Sequence, residues 1–163
     1  MKKKEINLTY LVYPSVDKLD EVSKKLMQKA EETLTNAYAV YSDFYVGAAI
    51  YLEDGQIILG NNQENIAFPS SMCAERVALY YCKANFPKNK VKKIAIAARS
   101  SKITLKNPIT PCGACRQVMT EYERIQDDKI EIILKAEQGD VLVFNSVADL
   151  LPLAFQTMAL NLI

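Results

Sequence analysis

The stretch that most restricts the fold is residues 91–98, small or β-branched residues broken only by Lys92 and Lys93. Such a run suits a buried strand, and a buried strand needs other layers to cover it. The flanking pattern supplies them. Over residues 16–37, Leu19, Val22, Leu26, Ala30, Leu34 and Ala37 recur at the spacing of a helix with one buried stripe, with Ser15 as its N-cap. Residues 45–52 and 56–60 read as strands joined across the hairpin signal Asp54-Gly55. Residues 73–84 read as a second helix, with Pro87 just beyond its end. Pro111 opens a third helix over residues 112–124, because its missing N–H costs nothing in a first turn. Residues 130–136 and 141–144 read as strands around Gly139-Asp140, and 147–151 as a helical turn before Pro152. The order predicts an α/β domain, a five-stranded mixed sheet with helices on its faces. Ile6, Leu8, Tyr10 and Val12 alternate with polar residues. The first fifteen residues are therefore an N-terminal extension, either an extra edge strand or an arm onto a neighbouring subunit.

The chain has 163 residues and no histidine. That length is one domain's worth of core. Without histidine, Ser-His-Asp and Cys-His catalysis are excluded, and proton transfer near neutral pH falls to a shifted Glu, Asp, Lys, Cys or Tyr. A metal site must be built from thiolates and carboxylates. A net charge of +1 gives no general attraction for nucleic acid or an anionic membrane. The two basic runs, at Lys2-Lys3-Lys4 and in residues 88–93, read as solvated segments. No stretch approaches the ~20 apolar residues of a membrane span, and no secretory apolar region follows the first lysines, so a cytoplasmic location is expected. Four cysteines in such a chain suit metal, catalysis or core rather than a disulfide scaffold.

Two motifs open predicted helices: Cys73-Ala74-Glu75-Arg76 and Pro111-Cys112-Gly113-Ala114-Cys115-Arg116-Gln117. Cys112 and Cys115 lie three apart, on one face of a first turn. A helix N-terminus favours thiolate over thiol, so two such ends aimed at one place make a three-thiolate metal site. The remaining cysteine, Cys82, lies about 13 Å further along the second helix at ~1.5 Å per residue, and is read as a buried small hydrophobe. Three protein ligands with an open fourth position is the catalytic arrangement of zinc. Either motif alone is weak, since redox pairs also carry Cys-x-x-Cys. Their value lies in occurring together, one strand apart.

On these residues the sequence resembles the small cytidine deaminases of the three-cysteine zinc type. The similarity runs over residues 27–155 and includes Tyr41-Ser42-x-Phe44-x-Val46-Gly47-Ala48-Ala49, Asn62-x-Glu64-Asn65, both cysteine motifs and Leu150-Leu-Pro-x-Ala-Phe155. It implies a three-layer fold in which residues 16–155 are the deaminase domain and 156–163 a tail. It further implies one zinc per subunit on Cys73, Cys112 and Cys115, with Glu75 as proton carrier. Zinc lowers the pKa of bound water to about 7 in favourable sites. Glu75 would take the water's proton, deliver it to N3 of the pyrimidine during attack at C4, and carry a second to the departing ammonia. Arg76 would offset the thiolate charge, although a surface salt bridge is its plainer alternative.

By the same resemblance, Asn62 and Glu64 hydrogen-bond the ribose 3′-hydroxyl, which argues for a nucleoside over the free base. Phe44 contacts the pyrimidine, and Phe155 reaches it from a neighbouring subunit, though either could be core. The Ala74 N–H and Thr110 C=O hold the base's carbonyl oxygen and amino group. A homotetramer with active sites at subunit interfaces is expected, supported in sequence only by the apolar run of residues 150–163. Gln63, Phe68-Pro69, the long segment 101–109 and the N-terminal extension depart from the family pattern and bear on substrate choice. The competing expectations are deamination of another aminopyrimidine nucleoside such as blasticidin S, and a non-catalytic zinc module that works through assembly.

Overall fold

The computed structural model describes residues 1–155. The tail 156–163 lies outside them. The chain runs β1 (Leu11–Tyr13), α1 (Glu21–Thr33), β2 (Phe44–Leu52), β3 (Ile57–Asn61), α2 (Ala74–Asn85), β4 (Val91–Ser100), α3 (Gly113–Ile125), β5 (Glu131–Lys135) and β6 (Val141–Phe144). The strands form one mixed sheet of order β1-β6-β5-β4-β2-β3, in which only β4 and β5 pair in parallel. The sheet therefore has six strands where five are expected. The sixth comes from the N-terminal extension: β1 lies antiparallel on the free edge of β6, Leu11 opposite Val143 and Tyr13 opposite Val141. Just before it, the Tyr10 ring stacks on Phe144 at 5.1 Å.

The run 91–98 is the central strand, and its alternation explains the three layers. Ala95 and Ala97 face α1, packing with Leu26, Met27, Ala30 and Ala49. Ile94 and Ile96 face the other way, into a larger core with Leu79, Met119, Ile132 and Leu134 under α2 and α3. Small residues let the helices come close. A Cβ on Gly47 would lie 2.0 Å from the Ala30 carbonyl oxygen of α1, and one on Gly60 would lie 2.6 Å from both the Ala74 oxygen and the Ala78 nitrogen of α2.

The first helix is shorter than its periodicity implies. Ser15 precedes a 3-10 turn, Val16–Lys18, and caps nothing with its side chain. The N-cap is Asp20, whose carboxylate accepts from the Ser23 N–H at 3.0 Å and from the Ser23 hydroxyl at 2.7 Å. A second 3-10 turn, Leu34–Asn36, ends the element. Leu19 and Leu34 are buried, so the apolar stripe continues although the α-helix does not. Across the sheet, Lys93 ties Asp20 (3.0 Å), Ser23 (2.8 Å) and Glu131 (2.9 Å) together.

Connectivity positions the site. β3 and β4 both run antiparallel to β2, and β4 runs parallel to β5. The crossovers through α2 and α3 therefore start at the same end of the sheet, and both helix N-termini open there.

Candidate active site and metal centre

Cys73 and Cys112 are the N-caps of α2 and α3, with extended backbones (ψ 150° and 164°) and no side-chain capping bond. Their sulfurs are thus free to turn toward each other. The Cys73 and Cys112 Sγ atoms are 3.9 Å apart, and Cys112 and Cys115 3.5 Å. All three lie within 4.8 Å of one another, and among the described residues they are the one group of three or more potential ligands so arranged. Three sulfurs about 2.3 Å from one tetrahedral zinc sit about 3.8 Å from each other, so this donor set fits that ion. Cys82, by contrast, is wholly buried in the core under α2, where burial pushes its thiol pKa up.

The groups around the cluster favour a thiolate at Cys73. The Cys73 thiol is lowered from 9.0 to about 5, first by a hydrogen bond from Cys115, against burial, and with help from Arg76. Cys115 moves the opposite way, because its proton serves Cys73 and burial disfavours its anion. The Arg76 Nη2 donates to the Cys73 sulfur at 3.5 Å, while its buried Nε finds no partner among the described residues. The guanidinium is held charged by that contact. Glu75 is 5% exposed, and burial pushes its carboxyl up from the usual range.

In front of the cluster lies a cavity of about 460 Å³, within the range of small-molecule sites. Phe44, Asn62, Glu64, Cys73, Glu75, Thr110 and Cys112 all line it. Residues separated by up to 68 positions in sequence thus meet at one place. Besides Arg76, which sits at the Cys73 sulfur, three expected residues stand elsewhere. Cys115 is buried behind the wall, Ala74 is fully buried beneath it, and Phe155 is 68% exposed, its carbonyl accepting from Gln117 of α3. Within its own chain Phe155 does not reach the cavity lining.

Several contributors were not singled out from sequence. Ser42, Ser71, Met72, Ile96, Ala98 and Ile109 complete much of the wall. Arg116 donates to the Pro111 carbonyl (2.7 Å), the Leu150 carbonyl (2.9 Å) and the Thr110 hydroxyl (2.8 Å), fixing Thr110 beside the cavity. Its place directly after Cys115 was the available signal. The long segment 101–109 is docked by the Glu137 carboxylate, which accepts from Ser100 N (3.5 Å) and Leu105 N (3.1 Å). Gln63, a departure from the family pattern, also reaches the wall.

Residues 20–129 match the family model described as the cytidine and deoxycytidylate deaminase zinc-binding region. The chain belongs to this deaminase family. A cytidine deaminase of Halalkalibacterium halodurans is 38% identical over 136 residues, 83% of this chain and 96% of that protein. The crystal structure of a cytidine deaminase from Burkholderia pseudomallei superposes with a TM-score of 0.70 at 40% identity, covering 80% of this chain and 97% of that one. A blasticidin-S deaminase of Bacillus cereus is more distant, 26% identical over 80% of this chain and 90% of that protein. The matched deaminase region runs from α1 through α3 and contains all three cysteines, so the cofactor of this deaminase is zinc.

Proposed function

We propose that the chain hydrolyses the exocyclic amino group of a free cytosine nucleoside, cytidine or deoxycytidine, giving the uracil nucleoside and ammonia. The observation that carries this is the buried Glu75 carboxyl at the floor of a nucleoside-sized cavity beside three clustered thiols. Cys73, Cys112 and Cys115 hold the metal. When bound, zinc supplies the Lewis acidity that makes water a competent nucleophile near neutral pH.

The chain's own residues do the rest. Glu75, poised by burial to hold a proton, takes one from the attacking water and places it on N3 of the pyrimidine as the C4–O bond forms. It carries the second to the amino group as the C4–N bond breaks, so one water is consumed and one ammonia leaves. Arg76 offsets the charge of the ligand thiolates through Cys73. Thr110 and the Ala74 N–H hold the base, Phe44 packs on it, and Asn62 and Glu64 stand at the sugar end. Asn62 is the stiffest of these: its Oδ1 accepts from Val46 N at 2.8 Å and its Nδ2 donates to the Phe44 carbonyl at 2.9 Å, leaving one amide hydrogen for a ligand.

A nucleoside is favoured over its phosphate because no lysine or arginine lines the cavity among the described residues, while a carboxylate does. A polynucleotide is disfavoured because, among the described residues, no basic side chain lines the cavity, and Lys92 and Lys93 are paired with Asp128, Asp20 and Glu131. The same reading divides the chain into a deaminase domain at 16–155, an extension at 1–15 that contributes β1, and a tail at 156–163. It also favours a homotetramer with sites at subunit interfaces. Supporting this, Tyr38, Val40, Tyr41, Ile66 and Phe68 are exposed, and Phe155 is free to serve a neighbour. No helix among the described residues is long and apolar enough to cross a membrane. Free thiols at the metal site suit a reducing cytoplasm.

The test is turnover of cytidine, deoxycytidine, deoxycytidylate, cytosine and blasticidin S by the zinc-loaded protein, followed as loss of cytosine absorbance, with Glu75→Gln alongside. Turnover of the two nucleosides, abolished in the variant while zinc is retained, is the expected result. Turnover of blasticidin S alone would transfer the activity to the more distant relative's chemistry, and zinc without turnover would favour an assembly module.

A further inference from the structure

The turn between the first helix and β2 is built around one hydroxyl. Ser42 Oγ accepts from the Phe44 N–H at 3.1 Å and donates to Glu64 Oε1. The other carboxylate oxygen, Oε2, accepts from the backbone N–H groups of Tyr41 (2.8 Å) and Ser42 (3.3 Å). A carboxylate offers about four acceptor positions, so these three bonds leave Glu64 one, on the oxygen that Ser42 also holds. Together they outweigh burial and keep the carboxyl below its ordinary range, as an anion. Ser42, for its part, has spent its proton and cannot donate to a ligand.

The backbone at this turn is strained in a way that something must maintain. Asp43 adopts φ +55°, a left-handed conformation uncommon outside glycine. It is pinned on several sides: its N–H donates to the Ala39 carbonyl at 2.9 Å, its carbonyl accepts from Ser101 N at 3.2 Å, and its carboxylate meets Lys102 at 2.9 Å. The consequence is that Ser42 and Phe44, flanking the strained residue, both face the cavity together with Glu64.

We infer that Ser42 is a positioning residue for nucleoside recognition, aiming the last free acceptor of Glu64 at a sugar hydroxyl while fixing the Phe44 backbone. The inference rests on the nucleoside reading above. It makes Ser42 matter most to ligands that carry the hydroxyl Glu64 accepts from.

The experiment compares native protein with Ser42→Ala, Ser42→Thr and Glu64→Gln on cytidine and on 2′,3′-dideoxycytidine. Ser42→Ala raises KM for cytidine about tenfold with kcat little changed, the size expected for losing one bond to a charged group. It lowers kcat/KM for the dideoxynucleoside less, by whatever the loss of the bond to the Phe44 N–H costs, and Ser42→Thr restores most of the loss on cytidine. A Ser42→Ala effect equal on both nucleosides, or no effect on cytidine, overturns the inference. Should Glu64→Gln also act equally on both, the sugar role of Glu64 falls with it; should Glu64→Gln alone be selective, only the Ser42 role falls.

Discussion

At the scale of single residues, Arg76 shows how much a site depends on groups that bind nothing themselves. Its contact with the Cys73 sulfur joins the cluster to a cation whose buried Nε has no partner among the described residues. Replacing it by alanine should cost about 10–100-fold in zinc affinity or activity, as removal of partners behind metal ligands generally does. Zinc retention against a competing chelator, measured beside kcat, checks this; unchanged values would make Arg76 a surface ion. The meeting of Cys73, Cys112 and Cys115 beside Glu75 was legible in sequence because cysteine spacing at two helix starts leaves few alternatives. Ser42 was not, since a serine hydroxyl serves turns, caps and solvent equally, and only the placement of Glu64 across 22 residues gives it a task.

At the scale of elements, what the sequence conveyed depended on whether the apolar stripe and the backbone geometry ended together. They did for α2 and α3, whose cysteines sit at the caps. They did not for α1, where Leu19 and Leu34 continue the stripe through 3-10 turns and hide the true cap at Asp20. Asp20 also gives the element a pH signature. Burial raises its pKa, but the hydrogen bonds from Ser23 and Lys93 win and lower it from 3.8 to about 2. A lowered folded pKa contributes stability that is full above the unfolded value and is lost as pH falls through the folded one. Native protein should therefore lose stability between pH 3.8 and about 2 more steeply than Asp20→Asn, which keeps the cap but not the charge. Parallel acid-unfolding curves of the two would refute this. Gly60 carries a second element-scale prediction, since an added methyl collides with the α2 backbone at 2.6 Å. Gly60→Ala should destabilise by about 1–3 kcal/mol, read as a lower denaturant midpoint at unchanged slope. It should also reduce turnover, because α2 carries Cys73 and Glu75.

At the scale of the molecule, two helix N-termini from separate crossovers meet at one cluster of thiols. Anything that binds the folded state alone stabilises it by mass action, so stripping zinc should lower the thermal midpoint and restoring it should recover the loss. Calorimetry with and without chelator is the check; an unchanged midpoint would mean the thiols hold no tightly bound ion. The sixth strand has a consequence of another kind. β1 runs antiparallel to β6, hence parallel to β4, so its leading end lies at the side of the sheet opposite the one where β4 hands the chain on toward Thr110 and Cys112. A surface tether or fused carrier attached ahead of β1 is thus anchored at the back of the molecule. Immobilised that way on a bead or electrode, the protein presents its catalytic mouth outward to the flow.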